Sequence, residues 1–196
     1  MGDQLATIME EHYSTFITEE DFMLMADAGL NWIRLPIGFW ALETLDGEPF
    51  LEGVSWKYIV QALGWARKYG LRVKLDLHAS PGSANGWNHS GRIGSLNFLR
   101  GVMGLANAQR TLDYIRRLAE FINQPEWKDV VPVLWVAIWN PSPLMLIQFH
   151  LLAVFSTNPE RILLRSRTSV ACKCSVYSSY LAISDLHLPA TSKLMR

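Results

Sequence analysis

Residues Leu71–His78 read LRVKLDLH. Leu71, Val73, Leu75 and Leu77 fall on one side of an extended chain, and Arg72, Lys74, Asp76 and His78 on the other, because successive side chains in a strand point to opposite faces. The alternation predicts a strand with one face in a core. Upstream, Trp56, Ile59, Val60, Leu63 and Ala66 recur at helical spacing after Ser55, and Gly70 closes that helix. Downstream, the glycine-rich loop ASPGSANGWNHSGRIGS leads to a third helix carrying Leu112, Ile115, Leu118, Ala119 and Ile122.

The pattern extends in both directions. Thr18, followed by Glu19, Glu20 and Asp21, reads as a helix N-cap with acid in the first turn, and Gly29 supplies the stop. NWIRLPIGFW is strand-like, with Arg34 near its end, and VVPVL from Val130 opens another apolar, β-branched strand. The order is helix, strand, helix, strand, helix, strand, with connections suited to right-handed parallel crossovers. The fold class is therefore α/β.

Beyond Asn140 the character changes. No glycine follows Gly104, no tryptophan follows Trp139, and the acids reduce to Glu160 and Asp185. A helix near Pro159 to Leu164 is the one periodic feature left, with Glu160 as its first-turn acid. Such a segment does not continue a parallel α/β pattern. Two origins fit it: a divergent tail, or codons read through a splice or frame error, of which the second is favoured.

A chain of 196 residues with 49% hydrophobic and 18% charged residues has material for one core. Its 18 basic and 18 acidic residues balance, so nothing points to nucleic acid or an anionic membrane as partner. MGDQLATIMEEHYSTFITEE has neither a basic start nor an apolar run, so no signal peptide is expected there. The apolar run around Leu144 to Phe155 is broken by Gln148 and His150, and falls short of the roughly 20 residues a membrane span needs. Cys172-Lys-Cys174 is a weak metal signal with poor disulfide geometry and reads as incidental. The eight tryptophans serve either core packing or flat ligand platforms.

Four stretches, HYSTFITEEDF, NWIRLPIGFWALE, DLHASPGSANGWNHSGR and ANAQRTLDYIRRLAEF, together and in this order resemble glycoside hydrolase family 5, of the fungal exo-β-1,3-glucanase type. The resemblance implies a partial (β/α)8 TIM barrel over residues 12–134, from about helix 1 to strand 4, followed by an irregular, non-family C-terminal tail over residues 135–196. It implies a retaining hydrolase of β-1,3-glucan, without cofactor or metal, and an extracellular or cell-wall location. In such enzymes two carboxyl groups flank the scissile bond, one as acid and base and one as nucleophile.

Matched residue by residue, Arg34 falls at the strand-end arginine that holds the nucleophile, a task suited to a guanidinium. Its plainer reading is a surface salt bridge. His78 falls where an imidazole meets a sugar hydroxyl, against the plain reading of a core histidine. Trp87 falls at an aromatic of the pocket mouth, or is a loop aromatic tucked onto the rim. Asn85, Asn88 and His89 offer hydroxyl partners in the same loop, although asparagines are also ordinary turn formers. Asp76 reads as a structural partner. The acid/base glutamate should end the fourth strand in an Asn-Glu pair, near Ile138 and Trp139; the chain has Trp139-Asn140-Pro141 instead. Neither catalytic carboxylate can be assigned. The expectation is a catalytically inactive fragment of a β-1,3-glucan hydrolase, or alternatively a non-catalytic glucan-binding remnant.

Overall fold

A computed structural model describes residues 4–83, 85–94, 96–139, 148–155, 162–167 and 181–182, with side chains as far as residue 136. Four helices, α1 (Leu5–Phe16), α2 (Glu19–Asp27), α3 (Val54–Lys68) and α4 (Gly104–Ile122), accompany six strands. The strands are β1 (Trp32–Gly38), β2 (Arg72–Ala79), β3 (Val133–Trp139), β4 (Gln148–Phe155), β5 (Ile162–Arg167) and β6 (Leu181–Ala182).

Local chemistry fixes the ends of α2. The Thr18 backbone N–H and hydroxyl donate to the Asp21 carboxylate at 2.7 and 3.0 Å, holding the first turn. At the other end Gly29 takes φ +81°, while Gly29 N–H donates to Ala26 O and Leu30 N–H to Met25 O. This is the Schellman arrangement, and the left-handed position favours glycine.

β1, β2 and β3 run parallel in adjacent positions, so alternate residues line up across the strands. Leu35 pairs with Leu75 and Leu75 with Leu134; Ile37 pairs with Leu77 and Leu77 with Val136. Val73, Leu75, Leu77, Leu134 and Val136 are fully buried in one core with Phe22 of α2, Leu63 and Ala66 of α3, and Leu118 and Ile122 of α4. The opposite face carries Arg34, Lys74, Asp76, His78 and Trp135, and all of these but Asp76 keep some exposure. The β1–β3 part of the sheet is thus covered by helices on one side and carries these polar groups on the other.

The structure adds one helix and changes three sequence expectations. Residues 5–16 form α1, a helix without buried residues, which periodicity could not announce. It is held on α3 by Glu10, which meets Lys57 and accepts from the Tyr58 hydroxyl at 2.8 Å. On α4, Leu112 is 57% exposed rather than in the core. The inward face runs through Asn107, Thr111, Tyr114, Leu118 and Ile122. Asn107 and Thr111 tolerate burial because Asn107 Nδ2 donates to Asn97 O and the Thr111 hydroxyl to Asn107 O, both at 2.9 Å.

The expected irregular tail contributes strands instead. β4 pairs antiparallel with β3 from Val133↔Val154 to Trp139↔Gln148, β5 pairs antiparallel with β4, and β6 lies parallel to β1 at Ile33 and Arg34. The sheet order is β5-β4-β3-β2-β1-β6. The link from Trp139 to Gln148 is shorter than the roughly dozen residues of a parallel crossover, so the chain returns antiparallel. The bare edge of β3 would otherwise leave its N–H and C=O groups unpaired. The helix expected near Pro159 to Leu164 is replaced by β5 from Ile162 onward. Asn140, Glu160, Cys172 and Cys174 lie outside the described residues.

Candidate functional site

On the polar face of the sheet Arg34 is the third residue of β1 rather than its end as expected. It reaches along the sheet to Asp76 and His78 in the C-terminal half of β2, the half that leads to the functional loops of parallel sheets. Arg34 Nε donates to Asp76 Oδ2 at 2.9 Å, and its Nη2 meets the same oxygen. Nη2 also lies 2.9 Å from His78 Nδ1. Every guanidinium nitrogen bears hydrogen, so this contact makes Nδ1 an acceptor and puts the neutral ring's proton on Nε2. The 3.1 Å approach of His78 Nδ1 to Asp76 Oδ2 is then two acceptors bridged by one donor. Asp76 is fully buried, whereas the Arg34 and His78 side chains are 28% and 23% exposed. The carboxylate is a buried anchor, and the cation and imidazole above it face outward.

The loop after β2 lies over this cluster. The His78 and His89 rings are 6.2 Å apart, and the Trp87 and His89 rings 6.5 Å. Asn85 is turned to the loop itself: its Oδ1 accepts Trp87 N–H at 2.9 Å and its Nδ2 lies 2.7 Å from His89 Nε2. Asn88 is exposed and its Oδ1 accepts His89 N–H. Trp87 is 66% exposed, an open indole face. Arg34, His78, His89, Asn85 and Trp87 thus form a continuous chain of contacts, with Asn88 at its outer rim.

Trp40 forms the floor between strand end and loop, a part that sequence reading did not single out. Its ring stacks on Phe50 at 4.5 Å and 6°. A Cβ on Gly38 would overlap the Trp40 indole, and one on Gly91, at φ +93°, would stand 2.8 Å from it. The glycines of IGFW and HSGR therefore make room for the ring. Gly38→Ala is expected to lower stability by about 1–3 kcal/mol through overpacking, read as a lower urea midpoint; an unchanged midpoint would contradict this placement.

Lower on the same face, Lys74 Nζ sits 3.6 Å from the centre of the Trp135 ring. Burial pushes its ammonium below the usual lysine range, opposed by Asp76. A depressed lysine means that the unfolded chain binds more protons between the folded and unfolded titrations, so stability rises with pH there. Lys74→Met is accordingly expected to match or exceed the native urea midpoint at pH 7, with the difference shrinking as pH nears the ordinary lysine value. A lower midpoint for the variant at pH 7 would show the cation–π contact winning.

Among the described residues no group of three or more His, Cys, Asp or Glu side chains could hold a metal ion. An apolar cavity of about 280 Å³ between α1, α3 and β1 is lined by Phe16, Pro36, Tyr58 and Trp65 among others. It borders Trp40 without including Arg34, His78 or Trp87.

No protein-family model matches the chain. Individual proteins do. Over 133 residues, 68% of this chain, it is 47% identical to the probable glucan 1,3-beta-glucosidase D of Aspergillus niger. The chain is homologous to a segment of these glucosidases. The corresponding protein of Aspergillus flavus matches at 38% identity over 184 residues, 94% of the chain, so that alignment reaches into the tail. The chain spans 16% and 22% of the length of these two glucosidase relatives. Among solved structures, rutinosidase from Aspergillus niger superposes with a TM-score of 0.58 at 20% identity, covering 68% of this chain and 36% of that one. This glycoside hydrolase likeness concerns the fold: a mixed arrangement of helices on a largely parallel sheet. No helix among the described residues is long and apolar enough to cross a membrane.

Proposed function

We propose that the chain carries part of the glucan-recognition surface of a family 5 retaining exo-β-1,3-glucanase and does not itself hydrolyse glucan. Residues 12–134 correspond in this reading to part of a (β/α)8 barrel, residues 135–196 are a divergent tail, and the substrate is a β-1,3-glucan chain end met outside the cell or at its wall. The observation that supports it best is the Arg34–Asp76–His78 cluster across β1 and β2, with His78 facing His89 and His89 facing the exposed Trp87. Buried Asp76 orients Arg34. The His78 Nε2–H is available to a sugar hydroxyl, and the Trp87 indole offers a flat apolar face to the C–H side of a pyranose. Asn85 holds Trp87 and His89 in place, and Asn88 lies at the rim.

Between Glu126 and Glu160 the sequence has no glutamate, so the end of β3 offers no acid/base, and no nucleophile is assignable.

Calorimetric titration with laminari-oligosaccharides tests the binding claim. Trp87→Ala is expected to weaken affinity about tenfold, roughly 1.4 kcal/mol, comparable to other aromatic contacts. A flat titration of the native chain would remove the reading.

A further inference from the structure

Two serines at the base of the loop have chemistry that the site's contacts do not use. Ser83 and Ser90 are 3% and 2% exposed, and Ser83 has φ +58°, a left-handed conformation that non-glycine residues adopt at some cost. Around them lie four oxygen and nitrogen contacts. Gly86 N–H donates to Ser83 Oγ at 2.9 Å; the two hydroxyls are 2.7 Å apart; Ser90 Oγ lies 2.8 Å from Trp87 O; Ser83 Oγ lies 3.0 Å from Arg92 O.

Each hydroxyl has one proton, so two protons serve three oxygen–oxygen contacts. Assigning them to the two shortest gives one directed chain: Gly86 N–H to Ser83, Ser83 to Ser90, Ser90 to the Trp87 carbonyl. The Arg92 carbonyl then stands by as an alternative acceptor. Hydrogen bonds that point the same way along a chain polarise one another, most strongly away from water. The chain begins at the amide after Asn85 and ends on the backbone of the platform residue. The Trp87 carbonyl also accepts Ser90 N–H at 3.1 Å, and Gly91 follows at φ +93°, closing the turn beneath His89.

We infer that Ser83 and Ser90 are positioning residues, a buried hydroxyl pair that sets the orientation of Trp87, and through the same turn His89, for saccharide stacking. The inference rests on the glucan-binding reading for its ligand, but the positioning itself is read without one. Its strained backbone fits the role: Ser83 holds an unfavourable conformation where its hydroxyl can reach both Gly86 and Ser90.

The test is fluorine NMR on the full chain labelled with 5-fluorotryptophan, the Trp87 resonance being identified by its loss in Trp87→Phe. Ser90→Ala is expected to shift and broaden that resonance while the other tryptophan resonances hold. Affinity for laminari-oligosaccharide should fall about tenfold, which is ~1.4 kcal/mol. Ser90→Thr, which keeps the hydroxyl, should restore both. Should Ser90→Ala not fold, Ser83→Ala and the near-isosteric Ser90→Cys give the same comparison. An unmoved Trp87 resonance in a folded hydroxyl-less variant would overturn the inference, as would a Ser90→Thr spectrum no closer to native than that of Ser90→Ala. If the native chain binds no saccharide, the proposed function fails, and the fluorine shift still decides the positioning claim.

Discussion

Replacing Arg34 with methionine is expected to cost about 3–5 kcal/mol of folding stability, the range for removing one partner of a buried ion pair. The reason lies in the unequal burial of the two groups. Asp76 is wholly inaccessible, and its Oδ1 accepts no hydrogen bond from the described residues. All its compensation comes through Oδ2, from Arg34. Without the guanidinium a buried carboxylate loses its main counter-charge and is left unpaired away from water. Asp76→Asn is the milder change, because Arg34 is 28% exposed and can turn to solvent. Its expected cost is about 1–3 kcal/mol, that of an imperfectly satisfied buried polar group. Urea denaturation of both variants and the double variant reads the order directly. Equal costs, or a larger cost for Asp76→Asn, would mean that the carboxylate is not the anchor of this face. The larger loss is a substantial part of the 5–15 kcal/mol of a typical domain.

Much of this arrangement could be read from sequence, and the reasons differ by residue. β2 was legible because Leu71, Val73, Leu75 and Leu77 alternate without a break, and α2 because Thr18 and Asp21 close a local capping box. Both signals are carried by neighbours in the chain. The pairing of Arg34 with Asp76 was not legible as such, since it depends on the register that sets Pro36 against Asp76 across two strands. Arg34 therefore looked like either a site residue or a surface salt bridge; it sits in an ion pair with a buried partner, among the residues that resemblance had marked. Trp40 was missed because its packing against Gly38, Phe50 and Gly91 joins three separate segments. Ser83 and Ser90 look like turn serines until their burial is known. The tail strands were missed for a related reason: β4 gains its partner from the edge of β3 and β6 from distant β1, which periodicity within residues 148–182 does not encode.

The second large effect concerns catalysis. The chain is expected to release no glucose from laminarin above a mock preparation. A retaining glycosidase needs two carboxyl groups about 5–5.5 Å apart across the bond to be broken. Among the described residues the one buried acid on this face, Asp76, is engaged by Arg34 and has no access to solvent, so it can neither protonate a leaving oxygen nor attack an anomeric carbon. β3 carries no glutamate from Val133 to Trp139. General acid catalysis alone is worth about 10²–10⁴ in rate, and without a nucleophile the covalent route does not exist. Substrate held at Trp87 and His78 would therefore remain intact. Glucose release that co-purifies with the chain, and disappears in Asp76→Asn at a pH where that variant is folded, would overturn this and make Asp76 catalytic.

Recognition without turnover is the central claim, and one experiment reads both halves: proton NMR of the chain with a laminari-oligosaccharide, followed for hours. Saturable shifts of the His78 ring and Trp87 indole resonances, with the saccharide's anomeric signals unchanged, are the predicted result. Absence of any shift at those two residues, or growth of free glucose signals, would contradict it.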